Sequence, residues 1–243
     1  MLPMSDRRAR REKWSAISGI LLCVSWAPMA IAIPRLPDLG SAAEVNGFWE
    51  DNFVLMQMVI ASISVGFLFL LFFLGGLSEW LRRAGGALAF TTFGSAVTFM
   101  TALNVALGLD MASGLLQEAG SGDTSYALHA AAFLLAAPAA PAGAAFFVAV
   151  AVASFTSGAF PRPFGWLAVI GVIANVGALG GVVSLEGPLN SGNGVIGGIA
   201  APLGLYLIWI GAVSVWWLTR SAEAEHESSA FTGGVRDART GMA

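Results

Sequence analysis

GFLFLLFFL, residues 66–74, is the stretch whose reading decides the fold. It lies inside a longer uncharged run, 53–77. A bilayer core about 30 Å thick needs roughly 20 apolar residues in a helix. The run is apolar on every side rather than along one stripe, which argues against a surface helix of a soluble domain. Backbone polar groups in lipid must be satisfied within the segment, so such a run is helical. Five more runs of this length follow the same pattern, at 15–33, 86–109, 127–155, 164–185 and 195–218. None contains Asp, Glu, Lys or Arg. The sequence therefore predicts an all-α polytopic membrane protein, a bundle of six transmembrane helices over 15–218. A basic tail precedes it at 1–14. A polar tail at 219–243, containing Gly, Ser and Thr, is expected to be disordered.

The totals agree. Of 243 residues, 56% are hydrophobic and 11% charged, and mean hydropathy is +0.75. A soluble domain carries about 25% charged residues. A net charge of −3 argues against nucleic acid as a partner. The single cysteine, Cys23, allows no intramolecular disulfide. Eleven of the twelve basic residues are Arg, and Ala and Gly are abundant, which suggests a high-GC bacterial genome.

Charge segregation sets the orientation. Eleven basic residues fall in the N-terminal tail, the turns after the second and fourth runs, and the C-terminal tail. Only Arg35 falls on the other side. The positive-inside rule places both termini in the cytoplasm of a bacterial inner-membrane protein. The outer segments hold Asp38, Glu44, Glu50, Asp51, Asp110, Glu118, Asp123 and Glu186. Trp14, Trp80, Trp166, Trp216 and Trp217 map to the inner interface and Trp49 to the outer one. The first run has a competing reading as a signal peptide, with the basic stretch RRARREK at 7–13 and a small-x-small site at Ala30-Ile31-Ala32. Its length, together with Trp26 and Pro28, favours a retained helix.

Breakers define several helix ends. Pro34 and Pro37 should stop the first helix, and Pro161 and Pro163 should separate the fourth from the fifth. Pro138 and Pro141 should kink the fourth. Asp123, Thr124 and Ser125 are candidate caps at its start.

No catalytic motif appears. GxSG with a His in the last helix, a membrane-embedded Asp pair, HExxH and GxxxxGK[ST] are all absent. No catalytic residue, metal ligand or cofactor site is assigned, and a non-enzymatic role is expected. His129 is the one Asp, Glu, Lys, Arg or His side chain within the six runs. Ion-coupled transport usually relies on embedded ionisable groups.

The remaining polar residues suggest one site. Gln57, Asn104 and His129 each lie near the outer end of successive helices, with Glu50, Asp51 and Asp110 at the mouth. Together they form a candidate outer pocket for a small cation or polar head group. Asp110 stands out because a carboxylate at a helix C-terminus opposes the macrodipole, whereas Glu50 and Asp51 sit at a favourable N-terminus. Asn175 is a lone polar residue near the middle of the fifth helix. The competing explanation is interhelical hydrogen bonding, worth about 0.6 kcal/mol per contact, and it carries the greater weight. Met56 and Met58 suit gap-filling better than a copper route, since positions two apart on a helix face different ways.

Small residues crowd the last two helices. Gly177/Gly181, Gly197/Ala201 and Ala200/Gly204 have the small-xxx-small spacing that lets helices approach closely. Packing of the fifth and sixth helices on each other is the first expectation, and a homodimer face the second.

LSEWLRRAGG at 77–86, after the second helix, and FPRPFGWLAVIG at 160–171, before the fifth, carry a resemblance. The layout resembles uncharacterised six-helix bacterial integral membrane proteins of the domain-of-unknown-function type. The resemblance implies the six-helix fold and transfers no activity or site residue. The expected function is binding of a lipid or small molecule, with membrane lipids as partners, or service as a membrane assembly partner. The alternative is a permease or channel for a small solute that uses the outer polar cluster.

Overall fold

The computed structural model describes residues 4–240, with side chains described for 10–222. The chain is an all-α bundle in which six helical spans are long and apolar enough to cross a membrane. It is a multi-pass membrane protein.

The elements are α1 (Met4–Trp26), a one-turn α2 (Met29–Ala32), α3 (Ala42–Leu81), α4 (Gly86–Glu118), α5 (Gly122–Ala136), α6 (Ala140–Ser157), α7 (Arg162–Ala178) and α8 (Ala200–Thr240). In the decisive run, Leu70, Phe73 and Leu74 point into the bundle, while Leu68, Leu71 and Phe72 are more than half exposed. The inward set follows helical i, i+3, i+4 spacing. In water the outward set would form an apolar patch of the kind soluble proteins avoid. In a bilayer it meets acyl chains.

Proline chemistry sets the breaks. α1 stops at Trp26, earlier than Pro34 suggested, because Pro28 lacks the N–H that would bond to the carbonyl of Val24. The fourth span breaks at Ala137–Ala139, a 3-10 turn holding Pro138, and α6 resumes with Pro141 in its first turn. Ser121 takes the N-cap position of α5 without a side-chain bond, so 123–125 do not cap it. Ser125 instead reaches across to α4.

Two helices outrun their apolar windows. α3 has 40 residues and α4 has 33, or about 60 and 50 Å at 1.5 Å per residue. Glu50 and Asp51 therefore lie two turns inside α3, and Asp110 lies two turns before the end of α4. The macrodipole argument for these carboxylates does not apply, because its effect fades beyond the first or last turn. Residues 219–240, expected to be disordered, continue α8. No proline follows Trp217, and Ala, Glu and Arg at 220–225 favour helix.

The turns fall at two ends. Trp80 donates to the Ala159 carbonyl at 2.9 Å, joining the last turn of α3 to the turn after α6. This basic end also holds the Arg11–Glu79 and Arg83–Glu12 ion pairs, at 3.2 and 3.6 Å. At the acidic end, residues 183–199 form a folded connection rather than the start of a helix. Asn190 organises it. Its Nδ2 donates to Asp38 Oδ1 (3.0 Å) and to the Leu185 carbonyl (2.7 Å), and its Oδ1 accepts from the Gly192 N–H (2.6 Å). A Cβ on Gly197 would overlap the Leu189 carbonyl, so this connection needs glycine there. Asn190→Ala removes three bonds at once. It should cost about 1–2 kcal/mol and raise amide exchange in 184–199 without unfolding the bundle.

Candidate functional site

α4 and α5 meet along a ladder of two polar rungs. On α4, Asp110 and Ser113 are three residues apart; on α5, Ser125 and His129 are four apart. Each pair shares a helix face. The first rung joins Ser113 to Ser125: the Ser113 hydroxyl donates to the Ser125 carbonyl at 2.7 Å, and the two hydroxyl oxygens are 3.1 Å apart. In the second rung His129 Nδ1 lies 2.6 Å from Asp110 Oδ1. His129 has no exposed surface, and Asp110 is 3% exposed.

Aromatic rings enclose the imidazole. Trp49 and Phe48 of α3 lie with ring centres 5.9 and 5.7 Å away, and Phe133 of α5 lies at 4.9 Å. Gly114 makes room for Trp49, since a Cβ there would come within 2.6 Å of the indole. The contact through Nδ1 fixes the ring orientation and leaves Nε2 as the nitrogen without a partner. Nε2 and the neighbouring Trp49 Nε1 are both buried without a hydrogen-bond partner in the protein. Buried polar atoms are rarely left so.

No protein-family model, curated protein or solved structure matches this chain. The chemistry of the site rests on its geometry.

That geometry gives a carboxylate-held imidazole beside an apolar cavity. Asp110 is the one charged residue lining a cavity of about 40 Å³, room for one to three waters. Met29, Leu36, Met56, Leu103 and Phe133 supply much of its wall. A nucleophile–base contact is missing: the two serines of the ladder bond to each other, not to Nε2. Among the described residues no group of three or more His, Cys, Asp or Glu comes together to hold a metal ion.

The six residues expected around one pocket divide. Asp110 and His129 come together. Gln57 and Asn104 are exposed on α3 and α4 and do not join them. Each sits one residue, or 100°, beyond an inward residue, Met56 and Leu103 respectively. Glu50 is exposed and accepts from Gln117 Nε2 at 3.2 Å, and Asp51 is exposed. Asn175 is fully buried, about two-thirds of the way from Arg162 to Val182, and donates to the Gly171 carbonyl at 2.8 Å. Several other membrane hydroxyls bond within their own helix, as Ser64 does to Ile60 and Thr98 to Gly94. Hydrogen bonds between elements come from Trp26 to Ile63, Ser62 to Ser25 and Tyr126 to Leu39.

The small residues also divide. The buried face of α7, Gly165, Ala168, Gly171 and Asn175, packs mainly on α6 rather than α8. Gly181 and Gly197 approach each other within the chain, whereas Gly204 has open space beside it.

Sequence reasoning missed the Asp110–His129 pair, although both residues were singled out. The signal was present: with α4 extended through residues 110–118, Asp110 falls three and seven residues after Leu107 and Leu103, on the inward stripe.

Proposed function

We propose that this chain is a non-enzymatic protein of the bacterial inner membrane, with both termini in the cytoplasm, that binds a small lipophilic molecule on the outer side. The observation that carries this reading is the buried Asp110–His129 pair at the polar end of an otherwise apolar cavity. A binding pocket of this kind is mostly apolar, with a few placed polar groups that set orientation. The cavity admits the hydroxyl or amine tip of a ligand, which meets Asp110, while the ligand's apolar body lies at the cavity mouth along the lipid-facing helix surface. Charge segregation supports the orientation.

Purification in mild detergent followed by mass spectrometry of bound molecules tests the proposal. The wild type should carry one species in near-stoichiometric amount. Asp110→Asn replaces one carboxyl oxygen with an amide group and should lower occupancy at least about five-fold, the equivalent of about 1 kcal/mol. Ala106→Phe, which fills the cavity beside the intact pair, should displace the ligand as well. Equal occupancy in all three proteins would refute the binding site.

A second reading as a permease is favoured by one observation, the burial of an ionisable pair between membrane helices. Solute or proton flux in proteoliposomes that vanishes in Asp110→Asn would move the assignment to transport.

A further inference from the structure

The basic end holds a second, unrelated cavity. It is a bowl of about 470 Å³ between the C-terminal turn of α3, the turn after α6 and the last described turns of α8. Its charged residues are Arg83 and Arg220, and its aromatic wall is Trp80, Phe160 and Trp216. We propose that this bowl binds the phosphodiester head group of an acidic phospholipid.

Both guanidinium groups gather on the same aromatic surface. Arg83 lies 4.8 Å from the ring centre of Trp80. Arg220 lies 5.4 Å from the same ring and 5.0 Å from that of Trp216. The two cations are thus within about 10 Å of each other by the geometry of cation–ring stacking. Stacking holds the planar forks in fixed positions, which suits bidentate bonding to phosphate oxygens.

The surroundings are built rather than loose. Trp80 is tied to the Ala159 carbonyl and packs against Phe160, Trp216 and Trp217 at 5.8–6.3 Å between ring centres. Gly158, in the left-handed region at φ +63°, turns the chain along the rim. The facing carboxylates are Glu12, paired with Arg83, and Glu79, paired with Arg11. Among the described residues Arg220 has no carboxylate partner.

Arg side chains also stabilise the C-terminal ends of α3 and α6 through the helix dipole. That effect asks only for a positive charge near the helix end, and Arg82, exposed at the α3 C-cap, meets it equally. It does not account for two guanidiniums converging on an open bowl. Apolar helix faces surround the bundle at this level, with Trp14 and Trp166 exposed, so a ligand with acyl chains beneath its phosphate fits better than a free anion. Basic pockets between membrane helices bind such head groups.

The test uses the full chain in nanodiscs. Binding of phosphatidylglycerol and of phosphatidylcholine is compared by native mass spectrometry for wild type, Arg83→Gln, Arg220→Gln and Arg82→Gln. The wild type should prefer the acidic lipid about ten-fold or more. Each bowl variant should lose about five-fold, the equivalent of about 1 kcal/mol per basic residue near the surface. Arg82→Gln should lose less than two-fold. Equal losses in all three variants would mean diffuse surface attraction and overturn the site. Lack of preference in the wild type would overturn it too. Full competition by millimolar glycerol phosphate would show a free-anion site and overturn the lipid assignment. Where a Gln variant fails to fold, Arg220→Lys keeps the charge without the fork and should lose about two-fold; no loss would overturn the bidentate role.

Discussion

Replacing His129 with leucine should cost about 3 kcal/mol of stability, the size expected when one partner of a buried pair is removed. Asp110 then keeps a carboxyl group among Leu103, Ala106 and Phe133 with nothing to replace the 2.6 Å contact. Asp110→Leu leaves both imidazole nitrogens without partners instead of one. It should cost about 1–3 kcal/mol, the price of an unmet buried donor or acceptor. The double variant, leucine at both positions, is the informative one. Replacing a buried polar pair with apolar groups of similar volume is often neutral, so it should return close to wild-type stability. Denaturation in detergent, followed by tryptophan fluorescence, measures all three. A His129→Leu protein within about 0.5 kcal/mol of wild type, the usual scatter for neutral surface changes, would mean that the pair is not energetically coupled.

The same series separates stability from binding. If the pair only holds α4 against α5, the double variant recovers everything. If Asp110 also receives a ligand, the double variant regains its fold and remains empty in the mass-spectrometric assay. A fully satisfied structural rung already exists beside it in Ser113–Ser125. The second rung is the one with a buried nitrogen facing no partner.

The fold was legible because lipid demands long apolar runs, and 66–74 shows that demand in nearly pure form. The ends were less legible for a related reason. Hydropathy windows stop at charge, so they closed at residues 53 and 109, whereas helices continue until the backbone is capped or broken. Ser41 supplies such a cap, accepting from the Glu44 N–H at 3.2 Å. Hidden beyond those windows were the two turns that carry Asp110 and about three turns of α3 that bring Trp49 over His129. The site was half legible. Polar residue types pointed to Asp110 and His129, but also to Gln57 and Asn104, whose neighbours Met56 and Leu103 take the inward positions. In a soluble helix the polar face marks the outside. A membrane helix, apolar all round, gives no such phase signal, so sequence alone could not say which polar residue turned inward. The Arg83–Arg220 bowl joins residues from two helices 137 positions apart, a proximity that composition cannot report.

The other large effect is expected at Gly143. A Cβ there would overlap Asn175 Oδ1 and come within 2.9 Å of its amide carbon and 3.3 Å of Phe99. Gly143→Ala should therefore cost about 2–3 kcal/mol, in the upper range for overpacking a filled interior. The Asn175 oxygen has no hydrogen-bond partner, and its nitrogen bonds only within α7. Asn175→Ala should then cost little, at most about 1 kcal/mol, since the Gly171 carbonyl keeps its helical backbone bond. Combining the two makes room for the added methyl. The double variant should be more stable than Gly143→Ala by about 1.5 kcal/mol or more, a coupling of the size that contacting residues show. Retained ligand occupancy in Asn175→Ala would place that residue in the α6–α7 seam alone. Simple additivity of the two substitutions would mean that α6 relieves the clash by shifting along its own axis, which the 3-10 break at Ala137–Ala139 would permit, and lost occupancy would extend the binding site from Asp110 into the seam.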